Sequence, residues 1–427
     1  MIKFIRCKED LSPEELEEKL RDQGIKVLKR MKLTGLYKVE VPETVTAEVL
    51  LKAPAPGVTI TEVYDDFPVK ALLDKAVPRV RADLVWNLGE KGTGMRIGIC
   101  DTGVDKNHPD LQGRVLGTKD FTGEGDYDGN GHGTHVATIA VGNGQASDGK
   151  YRGAAPEGAV LMAKGLKSDG TGMASDIADG VEWLVEAKVQ VISLSLGGPA
   201  QAGVHDILQQ TVEAAVDAGV AVFCAAGNEG PAHKTIATPG VSPKVITVGA
   251  TDDSDHMAEF SSRGPTPDGL TKPDVVAPGV NIIAGRANGT SLGHIIDNYY
   301  TELSGTSMAT PLAAGCGLLI LEKEPTLSPA ELKSRLKSYA VDIHTGDENV
   351  QGKGRLDVYA ALTQTAPPPS PVEPQPQPGE PGCFLSRIFS RSPAVLLALR
   401  QFRDSFLGSR HWGRWAVRFY YRLNAIF

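Results

Sequence analysis

The sequence predicts an α/β fold, in which a doubly wound, mainly parallel sheet with helices on both faces is preceded by a small α+β domain. Two observations support this prediction. From about residue 74 to 365, continuous apolar runs of strand length alternate with segments whose apolar residues recur every three or four positions, as in buried parallel strands and the helices that cover them. Residues 1–73 instead combine alternating strand patterns with one strongly capped helix.

The first predicted domain spans residues 1–73. Its opening residues alternate as IKFIRC, and Ser12 then precedes a helix that has Pro13 in its first turn, Glu15 closing a capping box and Gly24 at its end. A strand, a helix and further strands together predict a compact α+β unit. The remaining elements are two strand regions and a weak helical segment, over 25–41, 58–64 and 45–51.

The second predicted domain spans residues 74–365 and contains the parallel sheet. Two of its segments, ASDIADGVEWLVEA and HDILQQTVEAAVDAG, have apolar residues at helical spacing. Five apolar runs between such segments are predicted to be its strands: MRIGIC, AVLMAKGL, VQVISLSL, VAVFCAAG and KVITVGA.

Two C-terminal segments differ in composition from the rest. Residues 366–382 are rich in Pro, Glu and Gln, which predicts an extended, semi-stiff spacer. Residues 383–427 contain eight Arg, no Lys and one Asp, and their aromatic and apolar residues recur at helical spacing, which predicts two short basic amphipathic helices. The whole chain has a net charge of -8, and this excess of carboxylates argues against nucleic acid as a partner.

The compartment is not determined by the sequence. The N-terminus, MIKFIRCKED, turns polar at once, so no secretory signal is visible, and no apolar run reaches the length of a membrane span. Five cysteines lack metal-ligand spacing. Since three of them lie in apolar runs, we expect buried, reduced thiols.

Three short segments contain the candidate catalytic residues. Asp101 ends a predicted strand in IGICDTGVD, at the edge where parallel sheets place their sites, although an isolated Asp at this point is equally well a turn cap. His132 and His135 open a helix in DGNGHGTHVATIA. A zinc site would need a third ligand, so we interpret His132 as a catalytic base and His135 as structural. Ser307 begins an apolar helix in SGTSMATPLAAG; a serine there is most often a cap, but flanking glycine and the helix N-terminus favour a nucleophile.

Seven motifs extend this pattern: DTGVD, NGHGTHVA, SLGG, AAGNEG, FSSRGP, KPDVVAPG and SGTSMATP. In these motifs and their order, the chain resembles subtilisin-like serine peptidases over residues 74–363. The resemblance implies a serine endopeptidase that forms an acyl-enzyme intermediate, needs no cofactor for catalysis and acts on protein or peptide substrates. Ser307 would be the nucleophile, His132 the general base and Asp101 the residue that orients the base. Asn228 would donate a hydrogen bond to the oxyanion.

The same resemblance implies the substrate-binding residues. One pair of segments matches the walls of the pocket for the residue before the cleaved bond, Ala237 matches its floor, and a third segment matches an outer strand that pairs with the substrate main chain. Small, uncharged residues predict a preference for large apolar side chains. The segments are Ser195, Leu196, Gly197 and Gly198; Ala225, Ala226 and Gly227; and the outer strand Gly170, Thr171 and Gly172.

The flanking segments resemble known parts of such peptidases. Residues 1–73 are similar to the family's inhibitory propeptide, which implies a zymogen whose own propeptide is an intramolecular inhibitor, with self-cleavage near Leu72 and Leu73; a permanent accessory domain is the alternative. The tail is similar to a bacterial C-terminal domain that opens with a Cys-Phe-Ile box, of which only Cys383 and Phe384 are kept. For the tail we favour a protein or envelope partner over an anionic membrane surface or docking on the catalytic domain. The resemblance to this family implies an extracytoplasmic or secreted protein.

Two further hypotheses concern metal binding and activity. Asp126, Asp128 and Asn130 offer a run of hard oxygen ligands for structural calcium, without the Gly and Glu of an EF-hand, and a solvated loop is an equal alternative. A non-catalytic scaffold with this fold would be expected to lose a catalytic residue, and all four are present. An esterase shares the chemistry, but the extended binding strands favour peptides.

Overall fold

The computed structural model describes residues 2–30, 36–42, 45–52, 55–65 and 73–368. The chain divides into two compact units, residues 1–71 and 72–427. Leu72, most of the predicted spacer and the whole tail of residues 383–427 lie outside the described residues.

The first unit is a four-stranded antiparallel sheet with two helices. The α1 helix begins as predicted, because the Ser12 side chain and the Glu15 side chain each bond the other's backbone N–H. A short 3₁₀ turn continues α1 and ends at Gly24, whose φ of 68° is easily reached only without a side chain. The sheet order is β2-β3-β1-β4. The elements are β1 (Ile2–Cys7), α1 (Pro13–Leu20), β2 (Lys26–Arg30), β3 (Tyr37–Glu40), α2 (Ala47–Lys52) and β4 (Ile60–Asp65).

This unit has its own hydrophobic core. Leu16 and Leu20 of α1 are fully buried against Ile5 and Val39 of the sheet and against Leu50 of α2. Leu16 and Leu20 lie four residues apart, on one face of α1, which is the spacing that an amphipathic helix needs to cover a sheet.

The second unit contains a seven-stranded, fully parallel sheet in the order β11-β10-β9-β8-β5-β7-β6. The predicted doubly wound fold is therefore confirmed. The strands that follow β5 in sequence are added to the sheet on both of its sides, β6 and β7 on one and β8 to β11 on the other. Open α/β sheets form their binding crevice at such a point, at the carboxyl ends of the strands. The strands are β5 (Arg96–Asp101), β6 (Val115–Asp120), β7 (Ala159–Lys164), β8 (Val191–Leu194), β9 (Ala221–Ala225), β10 (Ile246–Thr251) and β11 (Val275–Pro278).

Helices cover both faces of this sheet. The α5 and α8 helices pack together, with α8 against strands β8 to β11, whereas α6 and α7 pack together on the other face. Almost every residue of α8 is buried, as expected for a helix that is apolar all round. Among the described residues, no helix is both long and apolar enough to cross a bilayer. The helices are α3 (Leu73–Arg79), α4 (Ala82–Trp86), α5 (His132–Val141), α6 (Ala174–Glu186), α7 (Ile207–Asp217), α8 (Thr306–Lys323), α9 (Pro329–Ser338), α10 (Glu348–Gln351) and α11 (Val358–Thr363).

The alternation of side chains along β5 directs Asp101 toward α5. Gly98 faces α6, where a Cβ would lie 2.9 Å from the Leu184 side chain, and Cys100 faces α6 as well, with its sulfur against Gly180. Asp101 is the next residue and therefore points to the opposite face. The register of β5 thus decides which helix Asp101 meets.

The predicted buried thiols are confirmed for Cys100, Cys224 and Cys316, which are free and fully buried. Burial raises the pKa of all three thiols, that of Cys224 to about 12. These thiols are therefore protonated and unreactive at neutral pH.

The structure also contains elements that the sequence did not predict. Two of the seven strands, β6 and β11, form the edges of the sheet, and a separate antiparallel sheet in the order β12-β14-β13 packs against α5. Its strands are β12 (Ile282–Gly285), β13 (His294–Ile295) and β14 (Tyr300–Leu303).

A buried ion cluster closes the β10–β11 edge of the sheet. Asp274 is 3% exposed and lies 2.6 Å from the Lys272 ammonium, with Lys333 and Lys337 each 3.2 Å from its other oxygen. Burial opposes ionisation of Asp274, but Lys272 and Lys333 outweigh it and lower the carboxyl pKa to about 2. Asp274 is therefore an anion on which buried cations depend.

We expect Asp274→Asn to lower the free energy of unfolding by about 3 kcal/mol, because it leaves buried lysines without a counter-ion. Urea unfolding measures this loss, on a Ser307→Ala background since the predicted proteolysis would digest unfolded chains. Because the folded pKa is depressed, the stabilisation is present above the unfolded pKa of about 3.9 and is lost as the pH falls toward about 2.

Asp217→Asn is the matched control, since Asp217 pairs with Lys244 at the surface and its side chain is 63% exposed. That substitution is expected to cost less than about 1 kcal/mol. Equal losses for the two variants would contradict the role assigned to Asp274.

Candidate active site

Asp101 and His132 are joined by a hydrogen bond at the carboxyl end of β5. The His132 Nδ1 atom lies 2.8 Å from Asp101 Oδ1, which also accepts the Thr102 backbone N–H at 2.7 Å. Asp101 is fully buried, whereas the His132 side chain is 21% exposed. With Nδ1 donating to the carboxylate, the neutral imidazole has Nε2 as its acceptor.

Hydrogen bonds from backbone N–H groups to side-chain oxygens hold the start of α5 beside the turn that follows Asp101. The Asp128 carboxylate accepts the N–H groups of Gly131 at 2.7 Å and Thr134 at 2.9 Å, as a helix cap does. The Thr102 hydroxyl accepts the Gly133 N–H at 2.9 Å. Gly133 is needed here because a Cβ would collide with the Gly103 carbonyl oxygen. His132 is consequently held at a fixed distance from β5.

The two histidines of α5 have opposite electrostatic environments. Desolvation lowers the pKa of His132, but the Asp101 carboxylate and its hydrogen bond more than offset this, so the pKa lies above its ordinary value. His135 is fully buried and has no carboxylate partner, so desolvation and the charge of His132 lower its pKa to about 3. Its Nε2 atom lies 3.2 Å from the carbonyls of Ile282 and Thr301, so neutral His135 binds α5 to the small sheet.

Ser307 lies in the first turn of α8 and is paired with Ser195. The Ser307 hydroxyl donates to the Ser195 carbonyl at 3.2 Å, and the Ser195 hydroxyl donates to the Ser307 carbonyl at 2.8 Å. The Ser307 carbonyl is free to accept because Pro311, four residues on and inside the helix, has no N–H. Among the hydrogen bonds of the described residues, none joins Ser307 to His132.

Asn228 lies beside Ser307, with its side-chain amide turned outward. Its Oδ1 atom accepts from the Thr306 N–H at 2.9 Å and the Thr306 hydroxyl at 3.0 Å. These bonds orient the amide so that Nδ2 lies next to Gly305, 3.5 Å from the place of a Cβ there. Asn228 is exposed, so Nδ2 can donate to a bound molecule.

Two adjoining cavities form a cleft along these residues. They share the segment 195–199, whose Gly198 exchanges two hydrogen bonds of 3.0 Å with Thr238. The first cavity, of about 790 Å³, is lined by His132, Asn130 and residues 170–172. The second, of about 540 Å³, is lined by Ser307, Asn228, Ala225, Gly227 and Ala237. The predicted substrate-binding residues thus divide between two cavities.

The cleft differs from the sequence-based expectation in three respects. Ala226 lines neither cavity, because it is fully buried behind the wall with Ile236 and Val241. Charged residues do line the second cavity: Glu229 and Lys234, both exposed, contradict the prediction that it is uncharged. The first cavity also has an apolar lining that the sequence did not predict, formed by Leu166, Ile177 and Leu208.

The three predicted calcium ligands have other contacts. Asp126 pairs with Lys106 at 2.9 Å, and Asn130 donates to the Ser168 carbonyl at 3.1 Å. Both oxygens of Asp128 accept hydrogen bonds from protein groups, Oδ1 from Thr102 among them. Within the described part of the chain, no group of three or more His, Cys, Asp or Glu residues is placed to hold a metal ion. As arranged, the three residues do not fit calcium, and the site stays a prediction.

Comparison with known proteins gives consistent results. A family model described as the Subtilase family matches residues 92–357, a span that includes all four candidate catalytic residues. The chain is 42% identical over 324 residues to serine protease AprX of Bacillus subtilis (strain 168), covering 70% of this chain and 73% of that protein. It is 32% identical over 367 residues to subtilisin E of the same organism, covering 84% and 89%. A crystal structure of a cold adapted subtilisin-like serine proteinase superposes with a TM-score of 0.53 and 30% identity, covering 62% of this chain and 90% of that one.

We expect the two histidines of α5 to titrate differently between pH 5 and 9. NMR of histidine-labelled protein should show His132 protonating with a midpoint above about 6.5, whereas His135, with a pKa of about 3, stays neutral throughout. Signals are assigned by their loss in His132→Gln and His135→Gln. Asp101→Asn should lower the His132 midpoint; an unchanged midpoint would mean that the carboxylate does not set it.

Proposed function

We propose that Ser307, His132 and Asp101 are the catalytic triad of this chain, which belongs to the subtilase family of serine endopeptidases. Family membership gives the reaction, hydrolysis of peptide bonds without a cofactor for catalysis. The observation that most supports the residue assignment is the 2.8 Å hydrogen bond from the partly exposed His132 to the buried Asp101, which leaves the Nε2 atom of His132 as an acceptor.

In the proposed mechanism, Ser307 Oγ attacks the scissile carbonyl while His132 Nε2 takes its proton. The imidazolium formed in this step is stabilised by the Asp101 carboxylate, which also fixes the tautomer. His132 then delivers the proton to the leaving amine, and the acyl group remains on Ser307 Oγ. Water activated by His132 hydrolyses this ester and restores the hydroxyl.

The proposed mechanism requires the Ser307 side chain to rotate. Its hydroxyl donates to the Ser195 carbonyl at 3.2 Å, whereas attack requires donation to His132. A substrate main chain that pairs with the 195–198 wall would bring an N–H to compete for the Ser195 carbonyl. Substrate binding would thereby release the hydroxyl toward His132.

Two donors would stabilise the oxyanion of the tetrahedral intermediate. The Asn228 amide is oriented by its bonds to Thr306, and the Ser307 N–H belongs to the first turn of α8, where N–H groups lack intrahelical acceptors. Donors fixed in advance cost no reorganisation when the charge develops.

We expect Asn228→Ala to lower kcat by about 10²–10³, the magnitude known for the corresponding donor of subtilisin, with little change in KM. Ser307→Ala should abolish turnover above background. Steady-state hydrolysis of a chromogenic peptide measures both variants. A kcat for Asn228→Ala within threefold of wild type would remove Asn228 from the oxyanion site.

We also propose that the second cavity receives the side chain before the cleaved bond and prefers large apolar residues. Its volume is about 540 Å³, and Ala225, Ile236 and Ala237 give part of its lining small or apolar side chains. The exposed side chains of Glu229 and Lys234 have opposite charges. A charged substrate side chain would therefore be attracted by one of them and repelled by the other.

A peptide library cleaved by the purified enzyme should therefore show Leu, Phe, Tyr or Met most often before the cleaved bond. Full burial of such a side chain contributes about 1.5–3 kcal/mol relative to leaving it exposed to water. Cleavage confined to sites after Arg or Lys would contradict this preference.

Residues 1–73 are proposed to be an inhibitory propeptide that the enzyme removes itself near Leu72 and Leu73. The separate core of this unit supports the idea that it folds as a module.

We further propose that the tail of residues 383–427 attaches the enzyme to a protein or envelope partner. Equal liposome binding by the full chain and by a chain ending at residue 365 would argue against a membrane role.

We expect mass spectrometry of the purified wild-type protein to show loss of about the first 70 residues, whereas Ser307→Ala should retain them, because the cut is made by the enzyme itself. Adding a trace of active enzyme should process the Ser307→Ala chain. Loss of the same residues from Ser307→Ala alone would assign the cut to another protease.

A further inference from the structure

A buried lysine lies beside the proposed triad. Lys164 ends β7 and pairs in register with Asp101 of β5 on one side and with Asp120 of β6 on the other. Its side chain is only 1% exposed. Lysine is rarely buried to this extent unless its charge is paired, since desolvating an ammonium is costly.

Three groups satisfy the Lys164 ammonium. It donates to the carbonyl of Thr102 at 2.8 Å, directly after Asp101. It lies 3.5 Å from the Glu124 carboxylate and 5.6 Å from the centre of the Tyr127 ring, within the range of a cation–π contact. Lys164 thus links the turn after Asp101 to the loop that contains Glu124.

Glu124 in turn holds the turn that leads into residues 170–172, the predicted outer strand, which forms no strand in the structure. The same Glu124 oxygen accepts the Ser168 N–H and the Ser168 hydroxyl, both at 2.8 Å. Ser168 lies in a turn closed by the Lys167 N–H and the Thr171 carbonyl at 2.7 Å. Residues 170–172, which line the first cavity, follow from this turn.

The connections return to the proposed general base. The Asn130 amide donates to the Ser168 carbonyl at 3.1 Å, and the His132 N–H donates to the Asn130 side-chain oxygen at 3.3 Å. Lys164, Glu124, Ser168 and Asn130 therefore form a continuous network of contacts, the Lys164 network, that runs from the residue after Asp101, past the turn before residues 170–172, to His132.

We propose that Glu124, held by Lys164, is a positioning residue that fixes the segment 170–172 relative to Asp101 and His132. This inference rests on the proposed function and on the prediction that residues 170–172 pair with the substrate main chain. A segment held in place before binding loses less conformational freedom when a substrate pairs with it. The effect must therefore grow with the length of substrate that reaches residues 170–172.

Substrate length provides the test. For a peptide with four residues before the cleaved bond, Glu124→Ala should lower kcat/KM by about tenfold, mostly through KM, since the loss is of binding order rather than chemistry. For an N-acetyl amino acid ester, which does not reach residues 170–172, kcat/KM should change by less than about twofold. Lys164→Met should show the same dependence on length, and the double variant should lose no more than Glu124→Ala alone.

Glu157→Ala is the matched control. Glu157 is also an exposed glutamate that pairs with a lysine, Lys91 at 3.4 Å, and accepts a hydroxyl, that of Thr93 at 2.8 Å, but it lies before the amino end of β7. Glu157→Ala should change kcat/KM for neither the peptide nor the ester. Equal losses of Glu124→Ala on ester and peptide, no loss on either, or the same length dependence in Glu157→Ala would each overturn the proposal. Failure of the proposed function is a separate result, since wild type would then hydrolyse the ester no faster than Ser307→Ala.

Discussion

The hydrogen bond between Asp101 and His132 is the interaction on which the site depends. A fully buried carboxylate at the end of β5 is costly unless it is hydrogen-bonded, and the His132 ring and the Thr102 N–H both donate to its Oδ1 atom, at 2.8 and 2.7 Å. This hydrogen bond fixes the tautomer of the His132 imidazole, and together with the charge of Asp101 it raises the pKa of His132. It exists because the register of β5 turns Asp101 toward α5 and because Asp128 and Thr102 hold the first turn of α5 beside it.

Ser307 is attached to the cleft differently, through backbone groups that a proline leaves unpaired. Pro311 removes one helical hydrogen bond, and the freed Ser307 carbonyl accepts the Ser195 hydroxyl at 2.8 Å. The helix of the proposed nucleophile is thereby attached to the segment 195–198. The proposed catalytic base and nucleophile thus belong to α5 and α8, two helices on the same face of the sheet, each bound to a different strand end.

The sequence predicted the elements whose patterns are local. Central strands such as β5 and β9 are continuous apolar runs, and a capping box marks α1. The edge strand β6 was missed because it is half exposed and its pattern resembles a loop. At the site, motifs predicted roles for Asp101, His132, Asn228 and Ser307, of which the structure joins Asp101 and His132 by a hydrogen bond. Two features join residues that are distant in sequence: the hydrogen bonds between Ser195 and Ser307, and the Lys164 network. No rule based on sequence spacing could predict these contacts.

The most direct measurement of the central claim is covalent labelling by diisopropyl fluorophosphate, followed by peptide mass spectrometry. An activated serine attacks this reagent, whereas an ordinary surface hydroxyl does not. The account predicts one adduct per chain, on Ser307, and a labelling rate that falls by at least about a hundredfold in His132→Ala. No adduct, an adduct on another residue, or an unchanged rate in His132→Ala would contradict the proposed convergence of Ser307, His132 and Asp101.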